Sequence, residues 1–296
     1  MSPRDFLILV GICLVWGLAN VVSKIVVAHW AVPPFAFGAL RFALVALVTL
    51  PWLLPAPKPL GRLLLIAALM GAGNFALLFV GLQTASPSAA AIVVQVGVPF
   101  TTLLSIIVLN EKIAWRRWLG ILMTLTGALV VIWNPDGLSL SKGLWFVAAA
   151  AVAGSTGAVL MKQMEEIQPL RFQAWVGFTS FAALLPASLL FETGQAATMT
   201  AAGWPFVAAL LFSALIVSVI SHTAYYRLIQ RYEANLISPL TLMAPLATIG
   251  FGVLITHDRF DLRMGIGAVL ALCGVLIVAL RTRRVGPLTN LLRERS

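Results

Sequence analysis

Charge is what this sequence has least of. Only 10% of its 296 residues are Asp, Glu, Lys or Arg, whereas 60% are hydrophobic, and the mean hydropathy is +0.99. A soluble domain carries roughly 25% charged residues because its surface must face water. The thirty charged side chains here cannot clothe a soluble globule of 31.7 kDa, so the apolar surface must meet lipid. Acids are scarcer still. The ten are Asp5, Glu111, Asp136, Glu165, Glu166, Glu192, Glu233, Asp258, Asp261 and Glu294, and all fall at the ends of apolar runs or between them. The two cysteines, Cys13 and Cys273, lie inside apolar runs without zinc spacing, and they read as packing residues. The histidines (29, 222, 257) are scattered over three regions. A GxxxxGK[ST] phosphate loop, an HExxH zinc motif and a GxSxG elbow are all missing, which argues against an enzyme or an ATP-driven pump. No catalytic residue, metal or cofactor is expected.

Long apolar runs are what the sequence has instead. A helix crossing hydrocarbon needs about 20 mostly apolar residues, and ten segments qualify: 5–28, 34–54, 62–82, 87–109, 115–133, 143–162, 170–191, 203–224, 235–256 and 263–281. Turn and stop signals separate them, including Pro33-Pro34, Pro55-Ala56-Pro57-Lys58-Pro59, Ser86-Pro87, Asn134-Pro135-Asp136-Gly137 and Pro169. The first run is too long for the h-region of a signal peptide and reads as an uncleaved helix. Continuous runs also exclude an outer-membrane barrel, whose strands alternate over about ten residues. The expected fold is all-α and integral to the membrane.

The net charge of +10 does not indicate a nucleic-acid partner, because the basic residues sit in short loops rather than on one polar face. With the N-terminus placed in the cytoplasm, fifteen Lys and Arg fall on that side and three on the other, leaving Lys24 and Arg41 inside helices. The positive-inside rule then puts both termini in the cytoplasm. Seven of the nine tryptophans fall at helix ends, where an aromatic belt belongs; Trp16 and Trp175 do not.

Ten helices divide into five and five, and an odd number inverts the second half. Residue spacing supports the division. Pro99 and Pro245 are 146 apart; Glu111 and Asp258, Arg116 and Arg263, Gly120 and Gly267, and Gly127 and Gly274 are each 147 apart. Gly17 matches Ser155, and Lys24 matches Lys162, both at 138. The expected organisation is a first inverted repeat over 1–136, a second over 137–284 and a basic cytoplasmic tail over 285–296. Inverted repeats let two halves exchange conformations around a site near the midplane, which is how many transporters alternate their access.

A set of short motifs completes the reading: Trp16-Gly17 with Lys24, Phe79-Val80-Gly81-Leu82 through Thr84-Ala85-Ser86 into Ala89-Ala90-Ala91-Ile92, then Pro99, Leu109-Asn110-Glu111-Lys112-Ile113, Gly120 and Gly127. In this order they resemble the drug/metabolite transporter superfamily, in its ten-helix EamA-type branch of exporters. The resemblance covers nearly the whole chain and is greatest to the bacterial aromatic-amino-acid exporters. It implies a bacterial inner-membrane protein that exports small metabolites, with amino acids a common cargo. One departure matters. The four-helix drug exporters of the superfamily carry a membrane-embedded glutamate in helix 1, whereas here helix 1 offers Trp16, Asn20 and Lys24. Exchange of protons for cationic drugs is thereby disfavoured.

Polar groups inside hydrocarbon usually face the bundle interior. Trp16, Asn20 and Lys24 share one stripe of helix 1, and Phe75, Phe79 and Gln83 one stripe of helix 3. Ser218, His222 and Tyr225 share a face of helix 8; Gln95 precedes the kink expected at Pro99, and Ser238 and Thr241 precede Pro245. The candidate cavity therefore comprises Trp16, Asn20, Lys24, Arg41, Phe79, Gln83, Gln95, Trp175, His222 and Tyr225. Pro99 and Pro245 are candidate hinges, and Gly120, Gly127, Gly267 and Gly274 mark close helix packing. Structural readings stand beside these. Lys24 and Arg41 lie far enough out to snorkel to the interface, Asn20 and Gln95 can simply tie helices together, and His222 can be a packed neutral imidazole near the end of its helix. The overall expectation is a facilitative exporter of small metabolites, with another cargo such as a nucleoside or sugar derivative, a lipid scramblase or a non-transporting scaffold as alternatives.

Overall fold

The computed structural model describes residues 1–109, 115–134, 139–161, 164, 167–232, 237 and 240–280. Several positions named above lie outside the described residues: Glu111, Pro135, Lys162, Ser238 and the tail 285–296 among them.

Helix starts follow local chemistry. α1 (Pro3–Lys24, continuing as a π-helical stretch Ile25–His29) is capped by Ser2, whose hydroxyl accepts the Asp5 N–H at 3.2 Å. α2 (Pro34–Thr49, with a 3₁₀ turn Leu50–Trp52) opens on proline, whose missing N–H costs nothing in a first turn. α3 runs through Leu60–Ala68, the π-helical Leu69–Gly73 and Asn74–Thr84. α4 joins Pro87–Val93, a 3₁₀ turn Val94–Val96 and Gly97–Leu109, with the Ser86 hydroxyl accepting the Ala89 N–H. α5 (Trp115–Ile132) leads to the only strand pairing among the described residues, a two-residue antiparallel ladder of Trp133 with Leu140 and Asn134 with Ser139. α6 (Lys142–Met161) and α7 (Pro169–Phe191) follow. α8 joins Gln195–Leu211, the π-helical Phe212–Ser221 and His222–Arg231. α9 is Met243–Ile255, and α10 is Leu262–Ala279, capped by Asp261.

Among the described residues, nine helices are long and apolar enough to cross a membrane, and α9 is a shorter apolar helix of 13 residues. α8 departs most from expectation. A helix break at Gly203 (φ 58°) cuts off a short leading piece, and the helix then runs on to Arg231, past the predicted end at 224. Hydropathy reports the thickness of lipid, whereas backbone hydrogen bonding continues through the polar residues His222–Arg231. His222 is therefore not near its helix end. Pro99 follows the 3₁₀ turn Val94–Val96 inside α4, and Pro245 is the third residue of Met243–Ile255.

The helices pack mostly across the chain's midpoint. α2 lies along α7, α5 along α10, α3 along α6 and α1 along α9. α4 packs on both α6 and α9, and α8 lies against α1 and α2. The α5/α10 seam is set by glycine. A Cβ on Gly120 would stand 2.7 Å from the Gly274 oxygen, and one on Gly127 would stand 2.6 Å from the Gly267 oxygen. Backbones this close gain contact across their whole width, the usual device where lipid supplies no hydrophobic drive. Outward, Trp115, Trp204, Leu190 and Leu254 are exposed, as a lipid-facing surface requires.

Candidate functional site

Arg41 is the centre of the polar interior. It sits midway along α2 and is only 1% exposed. Its Nε and Nη2 donate to the Ser218 hydroxyl of α8 at 3.1 and 2.9 Å. That hydroxyl in turn donates to the Ser213 carbonyl. The guanidinium lies over the Phe75 ring, 4.3 Å from its centroid, with the Phe42 and Phe79 rings at 5.7 and 5.9 Å. Ring faces and one hydroxyl offset part of the cost of burying the cation, but no carboxylate pairs with it among the described residues. Snorkelling is thus excluded for Arg41: the head group turns into the protein, held by rings on two helices.

Trp16 of α1 faces the same region. Its ring meets His222 at 5.3 Å and Tyr225 edge-on at 5.0 Å, and its Nε1 is buried with no hydrogen-bond partner. His222 Nδ1 lies 2.8 Å from the Val217 carbonyl, which can only accept, so Nδ1 carries a proton. Two π-helical stretches set these positions. Leu69–Gly73 ends directly before Asn74 and Phe75, and Phe212–Ser221 contains Ser218 and ends directly before His222. Such stretches shift the helical register and recur at functional sites.

These side chains surround a cavity of two adjoining lobes. One, of about 200 Å³, is lined by Trp16, Ala19, Asn20, Ser23, Arg41, Asn74, Phe75, Leu78, Phe79, Val217 and His222. The other, of about 220 Å³, is lined by Phe42, Met70, Asn74, Phe75, Gly154, Phe172, Gln173, Val176, Ser218 and His222. Asn74, Phe75 and His222 belong to both. One N–H of each amide is committed to the frame: Asn74 Nδ2 donates to the Ala150 carbonyl at 2.7 Å, Gln173 Nε2 to the Ser218 carbonyl and Asn20 Nδ2 to Thr248 at 3.3 Å. Their carbonyl oxygens are left as the acceptors.

Of the ten residues expected to form a cavity, Trp16, Asn20, Arg41, Phe79 and His222 line these lobes, and Tyr225 backs the Trp16 ring. The other four lie elsewhere. Lys24 Nζ reaches the Gln83 carbonyl at 3.3 Å, and Gln83 itself is exposed at the end of α3. Gln95 Nε2 folds back onto the Ala91 carbonyl of its own helix. Trp175 Nε1 donates to the Leu53 carbonyl at 3.1 Å, tying α7 to the end of α2. Asn74 and Gln173 are each a single amide in an apolar run, and only the helix crossing shows which way each faces.

Residues 5–133 and 141–280 match the EamA-like transporter family. The chain belongs to that family. It is 27% identical over 287 residues to a protein of Salmonella typhimurium named a probable amino-acid metabolite efflux pump, covering 94% of this chain and 95% of that one. A protein of the same name from Escherichia coli is 25% identical over 94% of this chain and 95% of its own length. A probable terminal-alkyne amino-acid exporter of Streptantibioticus cattleyicolor is 24% identical over 90% of each chain. A solved crystal structure superposes over 100% of both chains with a TM-score of 0.62 at 19% identity, a likeness of fold alone. This EamA-like chain is a transporter and a multi-pass protein of the bacterial inner membrane.

Proposed function

We propose that this chain exports amino acids or their close metabolites by alternating access around the cavity between Trp16, Arg41, Asn74, Phe75 and His222. The observation that carries this reading is a cavity walled by aromatic rings, with Arg41, amides and hydroxyls among its lining, built from α1, α2, α3, α6, α7 and α8. Its size and mixture of amides, hydroxyls and rings suit a small polar metabolite. The names of the relatives point to the same cargo class.

Ten crossings in two inverted five-helix halves supply the mechanism. The helix pairing supports this: α2 with α7 and α5 with α10 pair equivalents, while α1 with α9 mirrors α6 with α4. Both third helices, α3 and α8, carry a π-helical stretch that ends beside the cavity. Both fourth helices, α4 and α9, place proline third in an α-helical segment, at Pro99 and Pro245. With both termini cytoplasmic, either half can adopt the other's conformation. Coupling is facilitative: among the described residues no carboxylate lines either lobe, and His222, which does, commits its Nδ1 to the Val217 carbonyl. Lipid translocation is less well supported, because the lateral groove between α1 and α8, lined by Leu18, Val22, Ile25, Trp30 and Phe212, is apolar and offers a headgroup nothing.

Release of a labelled amino-acid panel from liposomes containing only this protein tests the reading. Substrate equilibrates without an imposed pH gradient, Trp16→Ala stops the flux, and Gln95→Ala leaves it near wild type. Uphill accumulation driven by a pH gradient and abolished by an uncoupler would refute facilitative transport.

A further inference from the structure

Among the described residues, Arg41 is the one Lys, Arg, Asp or Glu on the wall of either lobe. It is fully buried, its two hydrogen bonds both end on the Ser218 hydroxyl, and no carboxylate faces it among the described residues. The other unsatisfied group on this wall, Trp16 Nε1, is also a donor. A site with an unpaired cation and an unpaired N–H asks its ligand for a negatively charged acceptor. The available acceptors are neutral: the carbonyl oxygens of Asn20, Asn74 and Gln173, whose amide nitrogens donate elsewhere. They can receive a hydroxyl or a neutral N–H. An ammonium would bring a second full positive charge beside the guanidinium, with no carboxylate to balance it.

We propose that this cavity selects monoanions: Arg41 holds a carboxylate, and an acid whose amino group has been removed, replaced or acylated is carried in preference to the zwitterionic amino acid. The inference rests on the transport reading above and narrows its substrate class. A zwitterion leaves the buried site at net +1, whereas a 2-hydroxy, 2-oxo or N-acyl acid brings it to zero. The aromatic rings that cradle the guanidinium, Phe42, Phe75 and Phe79, hold its plane but supply no counter-charge. The reactions that supply such a cargo are transaminations or deaminations of amino acids, which give 2-oxo acids, reduction of those 2-oxo acids by a hydride donor, which gives 2-hydroxy acids, and N-acylations.

Isosteric pairs separate charge from size. Proteoliposomes are assayed for exchange of labelled L-phenylalanine against L-3-phenyllactate, and of L-leucine against L-2-hydroxy-4-methylpentanoate, with L-3-phenyllactamide as the uncharged control and protein-free liposomes as blank. The hydroxy acid exchanges at least about tenfold faster than its amino acid or the amide. Arg41→Gln brings the ratio to about one, and Arg41→Lys keeps the preference for the anion. Because the readout is a ratio within one preparation, lower yield of a variant does not move it. Equal exchange of acid and zwitterion, or an unchanged ratio in Arg41→Gln, overturns the proposal and leaves Arg41 as a tie between α2 and α8. Flux of amino acids without the hydroxy acids overturns it while sparing the transport reading. No flux of any solute defeats both.

Discussion

Replacing Gly127 by Ala puts one methyl group into the α5/α10 seam. An ideal Cβ there would lie 2.5 Å from the Ala271 nitrogen and 2.6 Å from the Gly267 oxygen, where ordinary contact begins near 3.4 Å. The atoms in the way are backbone, which cannot rotate aside, so the helices must part by about 1 Å. Separation also weakens the neighbouring contact of Gly120 with Gly274 and the Thr124 hydroxyl's second bond to the Ala271 carbonyl at 3.4 Å. Overpacking costs ~1–3 kcal/mol, and the rigid neighbour puts this case at the upper end. The better helix propensity of Ala returns up to ~1 kcal/mol, leaving a net loss of about 2 kcal/mol. Gly250 of α9 is the control, since a Cβ there meets nothing within 4 Å. Gly250→Ala gains the propensity without the clash. Melting of the purified protein in detergent, followed by tryptophan fluorescence, should place Gly127→Ala below wild type and Gly250→Ala at or above it. Equal melting of the two variants would refute the close-approach argument.

Two further outcomes follow from the same geometry. Trp175→Phe loses the hydrogen bond to the Leu53 carbonyl and costs ~0.5–1.5 kcal/mol in melting experiments, yet leaves substrate preference unchanged, because Trp175 is not on the lobe wall. Reporter fusions after residues 58, 112, 165, 229 and 296 should report cytoplasm, and those near 31, 85, 138, 196 and 258 the far side; one robust inversion would break the five-plus-five arrangement.

Membrane burial was legible because 60% hydrophobic composition and twenty-residue runs leave no alternative. The boundaries of α1, α2, α5, α6 and α10 follow from proline, capping residues and tryptophan, whose local chemistry fixes a helix end. The α8 boundary does not, since the lipid-crossing stretch and the hydrogen-bonded helix differ in length. The site was half legible. Four-residue spacing found Trp16 and Asn20 because both lie on regular α-helix. The same rule carried the stripe too far, to Lys24 and to Gln83 beyond the cavity. Ser218 lies in the π-helical stretch and His222 directly after it, and both line one lobe, while His222 and Tyr225 meet the Trp16 ring. Arg41 looked able to reach the interface because sequence gives its depth along α2 but not the Phe42, Phe75 and Phe79 rings around it.

Asn74 stands where the two lobes meet, and this makes it the place to ask whether solute crosses by the cavity. With Cys13 and Cys273 replaced by Ser, an Asn74→Cys variant reconstituted in liposomes is treated with a membrane-permeant thiol reagent, with and without excess substrate. Labelling should stop the flux, and substrate should slow the labelling. Full flux through a completely labelled protein would contradict a route between Trp16, Arg41 and His222.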